Sequence, residues 1–182
     1  MSLRKHCILA LILILLLMIL RLKKSIKEYL ELDSTVTDYF KYVFTFYNIV
    51  NVRRSNALFE HGSFPMITMN ELGLSIEEAH QDVYGMYSSV LEIQCDTLID
   101  HDIGNDKENQ NLQNTLTAHE DACEYVIDAL QGLSINNQQI CVSSMFFESA
   151  DDSQLIYNLY NDDHERIVVR KTITFSTEYY KK

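Results

Sequence analysis

The chain has 182 residues, 15 Lys+Arg against 26 Asp+Glu, and a formal net charge of −11. Several of the basic residues gather near the N-terminus, so the remainder is strongly acidic, and with no basic stripe carrying interleaved aromatics it is unsuited to DNA or RNA. Five mutually isolated glycines exclude a phosphate-cradling loop, and the absence of a Gly-x-Ser-x-Gly elbow or a Cys-x-x-Cys pair removes the commonest hydrolase and redox signatures.

The first element is an apolar run from Cys7 to Leu20, 14 residues without a polar side chain. As a helix it covers about 21 Å, short of a bilayer core of about 30 Å. A signal-peptide core, a buried soluble helix and a short anchor all fit that length. The flanks favour the anchor. Arg21, Leu22, Lys23 and Lys24 follow where a cleavable signal needs small residues. Basic residues at both ends, Arg4 and Lys5 before and Arg21, Lys23 and Lys24 after, let a short core reach both interfaces. Residues 1–6 therefore read as a basic flank and 7–22 as a membrane anchor helix, with Cys7, Leu13 and Leu20 facing lipid. The side of the membrane occupied by residues 23–182, read as one acidic, mainly helical domain, stays unresolved, because the basic residues of the two flanks differ by about one charge.

One proline in the whole chain and so few glycines supply too few turns for a sandwich or barrel, which need one about every 8–12 residues. Helices are the expectation. Val36, Tyr39, Phe40, Val43, Phe44, Tyr47 and Val50 fall at helical spacing, with the chain restarting near Asp33; the β-branched and aromatic stretch from Val43 to Val52 also admits a strand. Ser75 and Glu78 resemble a capping box ahead of Ile76, Ala79, Val83, Tyr87, Val90, Leu91, Gln94 and Leu98, which predicts a helix running toward Gly104. After a polar loop at Asn105–Asn111, Thr117 and Glu120 open a third helix through Ala122, Cys123, Val126, Ile127, Leu130 and Leu133, ending at Gly132. Ile140–Phe147 is too short to type, Asp152–Tyr160 reads as a short helix, and Arg166–Thr177, rich in β-branched residues, reads as strand. The fold class that follows is mainly α: a membrane helix, then an antiparallel helical bundle-like domain with a short strand or strand pair near the C-terminus.

Candidate chemistry is sparse. Glu77 and His80 have the Glu-x-x-His spacing of carboxylate-bridged metal sites, but such sites need two such motifs and this chain holds one. His80, His101, His119 and His164 all sit among carboxylates, as histidines of an acidic chain do. No cofactor is implied. Cys95, Cys123 and Cys141 lie beyond the apolar run; in an oxidising compartment Cys123 and Cys141 form the natural disulfide, and elsewhere all three are buried thiols. Aromatics crowd two regions, Tyr39, Phe40, Phe44, Phe46 and Tyr47 in the first and Phe146, Phe147, Tyr157 and Tyr160 in the second; most read as core, and the remainder as a ligand cleft or dimer seam.

The functional expectation is a non-enzymatic, single-pass membrane-anchored helical module for sensing or binding, which could belong to a longer multi-pass protein. Its layout is similar to that of extracytoplasmic helical sensor domains of receptors. The alternatives are a small accessory or assembly subunit whose acidic domain docks on a basic partner, and a metal-dependent enzyme. The expected partners are membrane lipid, a membrane protein, or a second copy met through the membrane-proximal helix.

Overall fold

A computed structural model of the chain describes residues 3–45, 64–76, 86–100, 106–136, 140–158 and 165–181. The expected helical bundle is replaced by a curled, mixed six-stranded sheet, a half-barrel with few helices. Its strands are β1 (Tyr42–Phe44), β2 (Met66–Ile76), β3 (Met86–Asp100), β4 (Ile135–Asn136), β5 (Ile140–Asn158) and β6 (Glu165–Lys181), in the order β1-β2-β3-β6-β5-β4. Only β1 and β2 run parallel; the other pairs are antiparallel. Among the described residues three helices accompany the sheet: α1 (Leu3–Leu32), α2 (Ser34–Thr37) and α3 (Asp106–Leu130).

The scarcity of turns has a different cause from the one expected. Strands of 15, 19 and 17 residues in β3, β5 and β6 build a large sheet from few reversals, well beyond the usual five or six residues or so per strand. β3 carries two competing periods. Leu91, Ile93 and Cys95 point to the helices and are fully buried, while Gln94 and Asp96 on the other face are buried as well. Leu91-Glu92-Ile93-Gln94-Cys95-Asp96 alternates apolar and polar residues as a strand does, but Val90, Leu91, Gln94 and Leu98 also fall at helical spacing and mimic a helical stripe.

The helices pack on one face. Leu22, Ile26 and Leu30, one turn apart on α1, join Ala122, Cys123, Val126 and Leu130 of α3 and Ile67, Met69, Leu91, Ile93, Ile173 and Phe175 of the sheet in the main core. A second, smaller cluster of Phe64, Met66 and Val168 lies on the opposite face. There Arg170, placed opposite Asp96 across β3 and β6, donates from Nε and from an Nη to the two oxygens of Asp96, each at 2.7 Å. A buried guanidinium needs this fork to offset its desolvation.

The membrane expectation is corrected here. The helix that holds the apolar run continues to Leu32, and Leu22, the last residue assigned to the anchor, is 1 % exposed in the protein core. Lys23, read as an interfacial flank, is buried, whereas Leu20 is half exposed and Lys24 pairs with Glu28 at 3.7 Å. Among the described residues no helix is long and apolar enough to cross a membrane. The transmembrane helix, the single-pass membrane localisation and the helical bundle therefore fall together.

Asp33 does cap a restarted helix: its carboxylate accepts from Thr35 N at 2.9 Å and from Val36 N at 3.4 Å. α2 lasts one turn, and β1 then takes Tyr42–Phe44 out of the expected longer helix.

Candidate functional site

Two features stand out on this frame, an open sheet edge and a buried cluster of thiols and an imidazole. The edge follows from topology. β4 is the outermost strand but has two residues, which pair with Val142 and Cys141 of β5. The turn after α3 covers a little more: Gly132 N donates to Met145 O at 2.7 Å, and the Gln131 side chain accepts from Phe147 N at 2.7 Å. Gly132 has φ +73°, the left-handed conformation that ends α3. Beyond Phe147, β5 runs on to Asn158 with no strand on its outer side among the described residues.

Residues 146–154 are all exposed, including Phe146 at 51 % and Phe147 at 40 %. Bulges after Val142 and Phe147 shift the register against β6, which locally strengthens the twist of such a strand. The segment reads Phe146-Phe-Glu-Ser-Ala-Asp-Asp-Ser-Gln154, with three carboxylates and no base. One of the three is matched internally: Lys171 on β6 lies 3.2 Å from Asp152 and also pairs with Glu120 of α3. Burial opposes the charge of Lys171, but these two carboxylates outweigh it and hold its pKa above the ordinary value.

The thiol cluster lies between α3 and β3. Thr97 Oγ1 meets His119 Nδ1 at 2.8 Å and Tyr39 Oη at 3.1 Å, and Cys123 Sγ stands 3.6 Å from His119 Nε2. His119 and Cys123 share one face of α3 because they are four residues apart. Cys95, pointing from β3 to the same side, lies in the same buried core as Cys123. With protons assigned to satisfy every partner, Tyr39 donates to Thr97, Thr97 to Nδ1, and Nε2–H to Cys123. The influence of Cys95 and then of His119 outweighs burial and lowers the Cys123 pKa to about 6. Burial, and then the adjacent Cys123, push the Cys95 thiol well up. Tyr39 is raised, chiefly by burial.

Cys95 and Cys123 are 0 % exposed and His119 is 1 % exposed, so no substrate reaches this pair. The arrangement fastens a helix to a sheet and tunes one thiol.

The residues singled out in the sequence are distributed as follows. Glu77 and His80 lie outside the described residues, as do His101 and His164; among the described residues no group of three or more His, Cys, Asp or Glu could hold a metal. Cys95, Cys123 and Cys141 are free thiols. Cys141 alternates with the core residue Val142 on β5 and so points away from the face where Cys123 sits. Cys7, Leu13, Arg4 and Lys5 belong to α1, and their side chains lie outside the described residues. Of the aromatics, Phe40 is core, Tyr39 joins the thiol cluster, and Phe146 and Phe147 are the exposed pair on β5.

The chain matches no protein-family model and no curated protein. Among solved structures it is similar to a chain of the "Virion of native gene transfer agent (GTA) particle", at 12 % identity and a TM-score of 0.46 over 88 % of this chain and 95 % of that one. A likeness at that level assigns neither a family nor a function.

Proposed function

We propose that the chain is a non-enzymatic binding module, an accessory or assembly subunit that takes up an extended, basic segment of a partner protein along the outer edge of β5. The observation that carries this reading is the length of β5 beyond Phe147 that has no outer strand among the described residues. An unpaired row of N–H and C=O groups is a template for strand addition, in which main-chain hydrogen bonds supply affinity and alternate side chains supply specificity. Phe146 and Phe147 supply apolar contact at one end of the edge.

Charge selects the occupant. A second copy would set Glu148, Asp151 and Asp152 against the same carboxylates, since edge-to-edge pairing opposes like strands, and the net charge of −11 adds to that repulsion. A basic segment meets complementary charge instead. The enclosed thiol cluster supports a binding rather than a catalytic role, because its nucleophile touches nothing outside the protein.

The test is fluorescence anisotropy with a labelled peptide alternating Val and Lys, against the same peptide with Lys replaced by Glu. The Lys peptide binds, and more weakly as salt rises. Asp151→Lys removes an attraction of up to about 1 kcal/mol and adds a similar repulsion, so its affinity falls roughly five- to thirtyfold. Equal binding of the two peptides, or of neither, refutes the proposal.

A further inference from the structure

We propose that the β5 edge is one side of a groove closed at one end: Gln131 stops the docked segment at Phe147, and Glu124, on the wall that α3 raises beside the edge, takes a basic side chain of that segment. This rests on the reading of β5 as a binding edge and adds the register and the specificity of what docks there. Up to Phe147 the outer side of β5 is covered step by step. Ile135 and Asn136 pair with Val142 and Cys141, Ser134 Oγ donates to Val142 O at 3.0 Å, Gly132 N donates to Met145 O at 2.7 Å, and Gln131 Oε1 accepts from Phe147 N at 2.7 Å. The side-chain oxygen of Gln131 thus stands where a docked strand would place a main-chain carbonyl. Main-chain groups alternate in direction along an antiparallel strand, and the bulge after Phe147 adds one residue. The next groups facing outward are therefore those of Ala150, followed by Asp152 and Gln154. Pairing with a partner begins there.

The wall follows from helix geometry. Glu120 of α3 pairs with Lys171 of β6, which also pairs with Asp152 of β5, and about three turns later Gln131 meets Phe147. Glu124 lies one turn after Glu120, on the stripe that joins these two contacts, and is exposed. Lys171 already occupies Glu120 and Asp152, whereas Glu124 forms no ion pair among the described residues. Ala150 opposes the core residue Ile173 across β6, and Asp152 reaches Lys171, so both side chains face the helix side of the sheet. Residues of a docked segment set opposite them face the same side. One of those residues meets Glu124, and charge complementarity makes it Lys or Arg. The other face of the segment meets Asp151, which alternates with Ala150 and Asp152 along β5.

The wall is tested on the full chain by fluorescence anisotropy with a labelled peptide that repeats Val-Lys-Lys-Val and so carries Lys on both faces of a strand. Glu124→Lys weakens its binding roughly five- to thirtyfold. Asp121→Lys, the same charge change at an exposed position of α3 outside the stripe, leaves binding within about twofold. The stop is tested by hydrogen exchange at the Phe147 amide. In the wild type that amide is protected with or without the peptide; in Gln131→Ala it exchanges fast in the free protein and slows when the peptide, no longer stopped, pairs with it. The groove is overturned, with the edge left standing, if the wild type and Glu124→Lys bind the peptide equally, or if Phe147 of Gln131→Ala stays unprotected at saturating peptide. If the wild type does not bind the peptide, the edge reading falls and the groove with it.

Discussion

Replacing Ile26 by Ala tests the claim that the C-terminal half of α1 belongs to the sheet's core. Ile26 is 0 % exposed and sits one turn from Leu22 and Leu30 in the cluster shared with α3, β2, β3 and β6. Three carbons disappear, worth about 0.8 kcal/mol each in transfer, and a cavity remains where the strands and α3 hold their positions. The better helix propensity of Ala returns only a few tenths of a kcal/mol. The net loss is about 3 kcal/mol, which for a domain of this size lowers the melting temperature by roughly 6–12 °C. Urea unfolding followed by far-ultraviolet circular dichroism should show a lower midpoint with an unchanged slope. Leu32, on the same helix but 86 % exposed, is the control; its change to Ala should stay within about 0.5 kcal/mol. If Ile26→Ala falls within about 1 kcal/mol of the wild type, or matches Leu32→Ala, the helix is not docked as described.

Two further outcomes follow from the buried polar groups. Asp96→Ala leaves the Arg170 guanidinium buried without its carboxylate and should cost about 3–5 kcal/mol by urea unfolding; a loss under about 1 kcal/mol would mean that the pair is solvated. Cys123, with a pKa of about 6 in the folded chain against about 8.5 ordinarily, stabilises the fold most above the ordinary value. That contribution is lost as pH falls through about 6. The stability advantage of the wild type over Cys123→Ser should therefore grow from about pH 6 to about pH 8, and a pH-independent difference would contradict the assignment.

Helix α3 and strand β6 could be read in the sequence because α3 presents one apolar stripe and β6 is dense in β-branched residues. On α3 the stripe of Ala122, Cys123, Val126 and Leu130 is buried against the sheet; the helix begins at Asp106 rather than Thr117, since a polar first half needs no apolar stripe to be helical. On β6 the β-branched run from Ile167 to Thr177 fits a pleated surface. The stretch from Ser75 to Leu98 reads as a helix because Val90, Leu91, Gln94 and Leu98 fall at helical spacing beside the strand alternation of Leu91–Asp96, and because Ser75 and Glu78 match a capping box by spacing alone although Ser75 lies in a strand. The apolar run reads as an anchor by composition, whereas the α1 residues packed on the sheet, Leu22, Ile26 and Leu30, follow it, spaced one turn apart among charged residues. The thiol cluster was invisible for another reason: Tyr39, Thr97 and His119 are brought together only by the fold, and the spacing of His119 and Cys123 is the one local hint. The edge of β5 depends on β4 being two residues long, which no composition rule reveals.

Amide-resolved hydrogen exchange, with and without the Val–Lys peptide, tests the binding edge most directly. Amides of β5 between Ser149 and Asn158 should exchange faster than those of β3 in the free protein, and the outward-facing ones should slow on binding. Protection that appears along β1, or anywhere other than β5, would contradict it.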